Sequence, residues 1–341
     1  MFYNCRVAVV IPAFKVERWI VSVINGLPDF VDLVVVVDDA SPDNVSKAVS
    51  DLNSPKVKLL RHKKNMGVGG AMKTGFLYAL ERDIELIVKI DGDDQMDPRY
   101  LGGLLFPLVL DECDYVKGNR FGLVSDISSM PLVRKIGNLV LSLANKFVSG
   151  YWHIVDSQNG YFAIKSHVLK KIKFDWIDNS YFFENSMLIN LNIIEARVSD
   201  MYIPARYQDE VSSMSIINIL FRFPLKLTGG IMRRIFFRYM YRDFSPVFVL
   251  LSIGVIALGG GGIWGCVAWY KSVMYNVDVP LGTFALGLIP ILLGSQFLLN
   301  ALLLDIQQSP MGVRKSYDFS EKELCEIDNS CRVAQSREVV E

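Results

Sequence analysis

Short apolar, β-branched runs alternate with segments of helical periodicity from the start of the chain through Arg120. Val7–Ile11, Leu33–Val37, Val57–Leu60 and Leu86–Ile90 read as buried strands, with helices over Glu17–Leu27, Val45–Leu52 and Gly69–Arg82 between them. The alternation is a βαβ series and predicts an α/β fold: a mostly parallel sheet covered by helices on both faces. Ligands of such sheets bind beyond the carboxyl ends of the strands, so the residues that follow each run are where chemistry is sought.

Farther along, the period changes. Between Pro131 and Ser149, Leu132, Val133, Ile136, Leu139, Val140, Leu143 and Phe147 recur at helical spacing beside Arg134, Lys135 and Lys146. This amphipathic stretch suits a membrane surface or packing on the sheet. A second one, Ile216–Tyr241, mixes apolar residues with Arg222, Lys226, Arg233, Arg234 and Arg238, and its basic residues are expected to meet anionic headgroups. Then Val247–Tyr270 and Leu281–Leu304 contain no Asp, Glu, Lys, Arg or His. Each is long enough to cross ~30 Å of hydrocarbon as a helix.

The short linker Lys271–Pro280 makes these two spans a hairpin. Arg233, Arg234, Arg238 and Arg242 precede the first span whereas the linker offers only Lys271, so the positive-inside bias places both termini in the cytosol. Met1–Val10 lacks the apolar core and cleavage site of an export signal, and the large domain is expected to stay cytosolic. Past Gln307 the tail is polar and is expected to be disordered or peripheral. The resulting layout is an α/β domain at 1–214, juxtamembrane helices at 215–245, spans within 246–305 and a cytosolic tail at 306–341. Isolated spans leave room for self-association into a homo-oligomer.

Composition removes other classes. A formal net charge of +0 over 341 residues gives no nucleic-acid signature. The 5 cysteines, Cys5, Cys113, Cys266, Cys325 and Cys331, form no C-x-x-C pair and suggest neither a zinc site nor a disulfide frame.

The acidic residues sit where chemistry is expected. Leu86–Ile90 runs into Asp91-Gly92-Asp93-Asp94-Gln95-Met96-Asp97, and nothing in that turn supplies a compensating cation. A divalent ion is the natural neutraliser, with Asp91, Asp93 and Gln95 as hard oxygen ligands for Mg2+ or Mn2+ carrying a diphosphate. Asp38-Asp39-Ala40-Ser41-Pro42-Asp43 ends another strand. Its carboxylates can accept hydrogen bonds from a ribose or base, or the segment can simply turn the chain and cap a helix. Asn65-Met66-Gly67-Val68-Gly69-Gly70-Ala71 fails as a dinucleotide fingerprint because Met72 holds the last glycine position, and it lacks a Walker lysine. Its glycines let the backbone approach a donor or a neighbouring loop.

Together, Ile11-Pro12-Ala13-Phe14, the Asp38-Asp39 cluster, the glycine segment and Asp91-Gly92-Asp93 resemble, in order, the motifs of family 2 inverting glycosyltransferases with a GT-A fold. Within that family the chain is similar to dolichol-phosphate mannose synthases and bacterial polyprenyl-phosphate glycosyltransferases, a likeness that the hairpin and Leu304-Asp305-Ile306-Gln307 reinforce. The resemblance implies metal-dependent transfer, with inversion, from a UDP-, GDP- or dTDP-linked sugar to undecaprenyl or dolichyl phosphate for glycan or cell-envelope assembly. The location implied is a bacterial inner membrane, or the ER membrane of a eukaryote.

By the same resemblance, Pro12, Ala13, Glu17, Asp38, Asp39 and Asp91 hold the nucleotide, and Asp91, Asp93 and Gln95 the metal. Arg120, Arg134 and Asn138 hold the acceptor phosphate, although the family usually has a hydroxyl where Asn138 stands. Asn159 and Glu184 belong near the sugar, and Arg206 with Ser213 to a loop that closes over the donor. Asn159 and Ala163 depart from the Ser and Arg common in the sugar segment, so sugar preference does not carry over. Two other readings stand beside this one: a transferase to a sugar hydroxyl, needing a base such as Glu184, and a catalytically silent membrane scaffold.

Overall fold

The computed structural model describes residues 1–121, 142–204 and 216–338. They form two compact units, Met1–Gly230 with Pro310–Glu341, and Ile231–Ser309.

The first unit is built on β1 (Val7–Ala13), β2 (Leu33–Asp38), β3 (Val57–Arg61), β4 (Leu86–Lys89), β5 (Tyr115–Asn119), β6 (Phe162–Lys165), β7 (Val198–Tyr202) and β8 (Met311–Tyr317). These make one sheet in the order β3-β2-β1-β4-β6-β5-β7-β8. All neighbours run parallel except β6, which is antiparallel to both β4 and β5.

The predicted parallel sheet is thus present, and its continuous apolar strands have a simple cause: both faces are covered. Along β1, Val7, Val9, Ile11 and Ala13 enter one core with α1 (Ile20–Asn25), α2 (Val45–Ser50) and α4 (Leu101–Val109). Ala8 and Val10 enter the opposite core, under α3 (Val68–Leu80). Successive side chains point to opposite faces, so a strand buried on both sides must be apolar at every position. Each such Val, Leu or Ile contributes roughly 1.5–3 kcal/mol on burial. Helix α1 opens at Ile20, later than the pattern predicts, because Val16–Trp19 form a turn in which Glu17 Oε2 accepts the Asn44 N–H at 3.0 Å. A helical stretch at 142–149 (α5) follows the undescribed segment. Then come α6 (Ser166–Leu169), α7 (Phe183–Ile193) and α8 (Ile216–Arg234).

The tail past Gln307 is not peripheral. Met311–Tyr317 extends the sheet as β8, paired with β7, and the last helix, running over Glu321–Glu338, buries Leu324, Ile327 and Cys331 in the α4 core. Its polarity concealed this: within β8 only Gly312 and Tyr317 are buried. Tyr317 is held further by donating its hydroxyl to Glu112 Oε2 at 2.5 Å.

The second unit holds α9 (Pro246–Tyr275) and α10 (Leu281–Gln307), leaving the closing helix at Glu321–Glu338 as α11. Both α9 and α10 are long and apolar enough to cross a membrane. They meet at glycines: a Cβ on Gly261 would come within 2.8 Å of Gly287 O, and one on Gly294 within 2.7 Å of Leu258 N. Small residues permit this close backbone approach. Most of the remaining surface is apolar and exposed, Ile256 at 73% and Leu281 at 82% among it, which a water-facing helix would not tolerate.

Before α9 the chain passes through a π-helical segment, Ile235–Arg242. Here the expectation that Arg234 and Arg238 meet headgroups is corrected, since both are buried. Arg234 forks onto Asp305 (Nη1–Oδ1 2.6 Å, Nη2–Oδ2 3.1 Å), Tyr239 donates to Asp305 Oδ1, and Arg238 donates to the Gln308 carbonyl. The reason is the carboxylate at the end of α10, which offers a bidentate, charge-assisted partner that a headgroup must compete with.

Candidate active site

Strand register brings the motif ends together. Ala13 lies opposite Asp38 and Val10 opposite Lys89, so the residues after β1, β2 and β4 emerge side by side. Because β6 runs the other way, its beginning reaches the same edge: Phe162 stands beside Lys89 on one side and Lys117 on the other. Tyr161 ties this edge to the acidic turn by donating its hydroxyl to Asp97 O at 3.2 Å. The result is a cleft of about 660 Å3 whose walls include Pro12, Ala13, Asp39, Asp91, Asp93, Arg120 and Glu184.

At its centre the expectation of an uncompensated acidic turn is overturned. Lys89, at the last position of β4 and 1% exposed, sets Nζ 2.6 Å from Asp91 Oδ1 and 3.5 Å from Glu184 Oε1. Burial alone would lower this lysine's pKa, yet Asp91 and then Glu184 hold it above the ordinary value. Glu184 is in the first turn of α7. Asp93 lines the cleft, and its Oδ1 accepts the Gln95 N–H at 3.2 Å; Gln95 itself is not among the lining residues. Among the described residues no group of three or more His, Cys, Asp or Glu is gathered for a metal. Two cleft carboxylates do fit a Mg2+ or Mn2+ that takes its other ligands from phosphate and water.

The second acidic cluster divides. Asp39 borders the cleft and organises it, accepting the N–H groups of Met66 at 2.8 Å and Gly67 at 2.7 Å, with His62 Nδ1 2.7 Å from Oδ1. Asp38 is fully buried outside the lining, where it accepts from Ser41 N at 2.8 Å and from the Ser46 hydroxyl and meets Arg61 at 3.3 Å. Glu17, too, stands outside the lining. The glycine segment packs on a neighbouring loop, and its Gly67 also lines the cleft. Gly67 adopts φ +83°, and a Cβ on Gly69 would overlap the Asp178 carbonyl. The N–H groups of Gly69 and Gly70 donate to Asn179 O, so this end of α3 is already engaged by protein.

Arg120 forks onto Asp156, Nε to Oδ2 at 2.7 Å and Nη2 to Oδ1 at 3.2 Å, and is 40% exposed toward the cleft. Asn159 is buried away from the lining, its Oδ1 accepting the Tyr161 N–H at 3.0 Å and its carbonyl accepting from Lys117 Nζ. Arg134, Asn138, Arg206 and Ser213 lie outside the described residues.

Residues 8–173 match the family described as glycosyl transferase family 2. A UDP-N-acetylglucosamine–dolichyl-phosphate N-acetylglucosaminyltransferase of Methanococcus voltae is 34% identical over 176 residues, 47% of this chain and 70% of that protein. The chain belongs to glycosyl transferase family 2. An undecaprenyl-phosphate mannosyltransferase of Micrococcus luteus is 29% identical over 204 residues, 58% of this chain and 82% of that one. The crystal structure of glucosyl-3-phosphoglycerate synthase from Mycobacterium tuberculosis with UDP shares the GT-A fold, with a TM-score of 0.50 and 17% identity over 68% of this chain and 80% of that one.

For a family 2 glycosyl transferase, two features of this cleft were missed from sequence. Lys89 is one, hidden inside an apolar strand; the signal was a lysine where both neighbours, Val88 and Ile90, must be buried. Gln158 is the other: it lines the cleft, and its Nε2 is buried with no hydrogen-bond partner among the described residues. A buried amide donor facing a cleft is suited to a hydroxyl acceptor on a ligand.

Proposed function

We propose that this family 2 glycosyl transferase moves a sugar, with inversion, from a UDP-, GDP- or dTDP-linked donor to polyprenyl phosphate on the cytosolic side of a membrane. The reading rests on one conjunction: a cleft that combines Asp91 and Asp93 with Arg120, in a chain that also has two helices able to cross a membrane. The dolichyl-phosphate and undecaprenyl-phosphate transferases among its relatives support the same acceptor class.

The acceptor needs little activation. A phosphomonoester is largely ionised near neutral pH, its second pKa being about 6, so no side chain has to take a proton before it attacks the anomeric carbon. The chain's task is to bind and align. The nucleoside is assigned to the part of the cleft bordered by Pro12, Ala13 and Asp39, while Asp38 and Glu17 stand outside the lining. Asp91 and Asp93, with Gln95, would hold Mg2+ or Mn2+, which when bound supplies positive charge to the departing diphosphate. The planar fork of Arg120 matches two phosphate oxygens, and an incoming phosphate competes with Asp156 for it. Arg134 and Asn138 complete the acceptor set, Gln158, Asn159 and Glu184 the sugar side, and Arg206 with Ser213 the closing loop. Glu184 is poorly placed as a free base because Lys89 already engages it.

The test is to incubate full-length protein in vesicles containing polyprenyl phosphate with labelled UDP-, GDP- and dTDP-sugars and Mg2+ or Mn2+. One donor should give a labelled, anomerically inverted glycolipid, and Asp93→Ala should abolish it. Retained configuration, or transfer to a sugar hydroxyl alone, would overturn the reading.

A further inference from the structure

We propose that Lys89 is a built-in counter-ion that prevents Asp91 and Glu184 from holding a divalent cation by themselves, so that a metal is retained only together with the nucleotide's diphosphate. The inference deepens the metal reading of Asp91 and Asp93 given above and rests on it.

The carboxylates of Asp39, Asp91, Asp93 and Glu184 line this cleft. Oxygen ligands and negative charge in such numbers are what divalent cations select. Lys89 changes that balance. Its ammonium is 1% exposed and lies between Asp91, at 2.6 Å, and Glu184, at 3.5 Å, so one positive charge is shared by two of these anions. Gly160 faces this pair: a Cβ there would overlap Lys89 Nζ and come 2.6 Å from Asp91 Oδ2. The Asp91 backbone is fixed, its N–H directed at Met96 Sδ at 3.3 Å.

A divalent ion approaching the empty cleft therefore meets carboxylates already partly neutralised, and it is repelled by the ammonium behind them. A diphosphate restores the negative charge and adds the missing oxygens. Metal and nucleotide then enter as one unit and leave as one unit, which ties release of the ion to release of the nucleoside diphosphate.

Mn2+ binding to the full-length protein in detergent, followed by the loss of the free-ion paramagnetic resonance signal, reads this without turnover. Wild type should bind Mn2+ strongly only when UDP, GDP or dTDP is added. Lys89→Met should bind Mn2+ without nucleotide at least roughly tenfold more tightly than wild type, while Lys89→Arg should keep the wild-type pattern. Equal nucleotide-free affinity in Lys89→Met and wild type, with nucleotide-dependent binding intact, would overturn the role of Lys89 and leave the proposed function standing. Failure of wild type to bind Mn2+ with any of the three nucleotides would sink the metal reading, and this inference with it. If Lys89→Met does not fold, Glu184→Gln decides: the ammonium then belongs to Asp91 alone, and nucleotide-dependent Mn2+ affinity should fall roughly tenfold. Unchanged or tighter binding in that variant would overturn the proposal.

Discussion

Gly160 shows how closely the site depends on one missing methyl group. A Cβ there would overlap Lys89 Nζ and come 2.6 Å from Asp91 Oδ2 and 3.1 Å from Met96 Cε, so these side chains would have to shift. Gly160→Ala should fold, because the strain is local and of order 1–3 kcal/mol, but it should lose at least tenfold in kcat/KM for the sugar nucleotide. An unchanged far-ultraviolet spectrum beside the lost activity would check this. Lys117 offers a test by pH. Burial pushes its pKa down to about 8, against about 10.4 for a lysine in an unfolded chain. Between these values the unfolded chain binds a proton that the folded chain has shed, so stability rises with pH through that window. The stability gap between wild type and Lys117→Met should therefore change by about 1 kcal/mol in favour of wild type from pH 7 to pH 9. Urea unfolding at both pH values measures it, and a gap that does not move would refute it. Neither residue's role was legible in sequence. Lysine in a strand reads as a surface residue, and what holds Lys89, Glu184 on α7, becomes its neighbour only through the fold.

At the scale of elements, what could be read followed how completely an element is buried. β1, β2 and β4 announced themselves because covering both faces leaves β-branched residues at nearly every position. The antiparallel β6 was not predicted as a strand, since its four residues, Phe162–Lys165, carry no turn signal that fixes direction. β8 was missed because an edge strand with a polar outer face resembles a tail. The hairpin helices were legible from charge alone, but their anchor was not. Asp305 looked like the last residue of a span, whereas in the fold it receives Arg234 and Tyr239. Asp305→Ala and Arg234→Met should each destabilise the protein by about 3–5 kcal/mol, because each removes one member of a buried ion pair. The double variant should cost less than the sum, as followed by thermal unfolding in detergent.

For the molecule as a whole, the decisive prediction concerns sidedness. A hairpin with both ends in the cytosol puts the turn between α9 and α10 on the far side of the membrane. In intact cells, a membrane-impermeant maleimide should label Asp278→Cys directly, whereas the exposed Cys325 should react only after permeabilisation. The reverse pattern would invert the topology. The GT-A domain and the acidic cleft motifs were readable in advance because each motif follows a strand that the apolar pattern already located. The balance of charge inside the cleft was not, since it is made by Lys89 of β4, Asp91 in the turn that follows and Glu184 of α7 together.

The place of β8 in the chain has a consequence for how the protein is made. The strand that occupies the far edge of the sheet, beside β7, is encoded after both apolar helices. A ribosome therefore delivers α9 and α10 before it delivers the segment that covers β7. Until then the nascent sheet has an open border of unpaired N–H and C=O groups. Completion of the sheet thus waits on synthesis of the hairpin, and a chain stalled within the hairpin is left with the β7 edge uncovered.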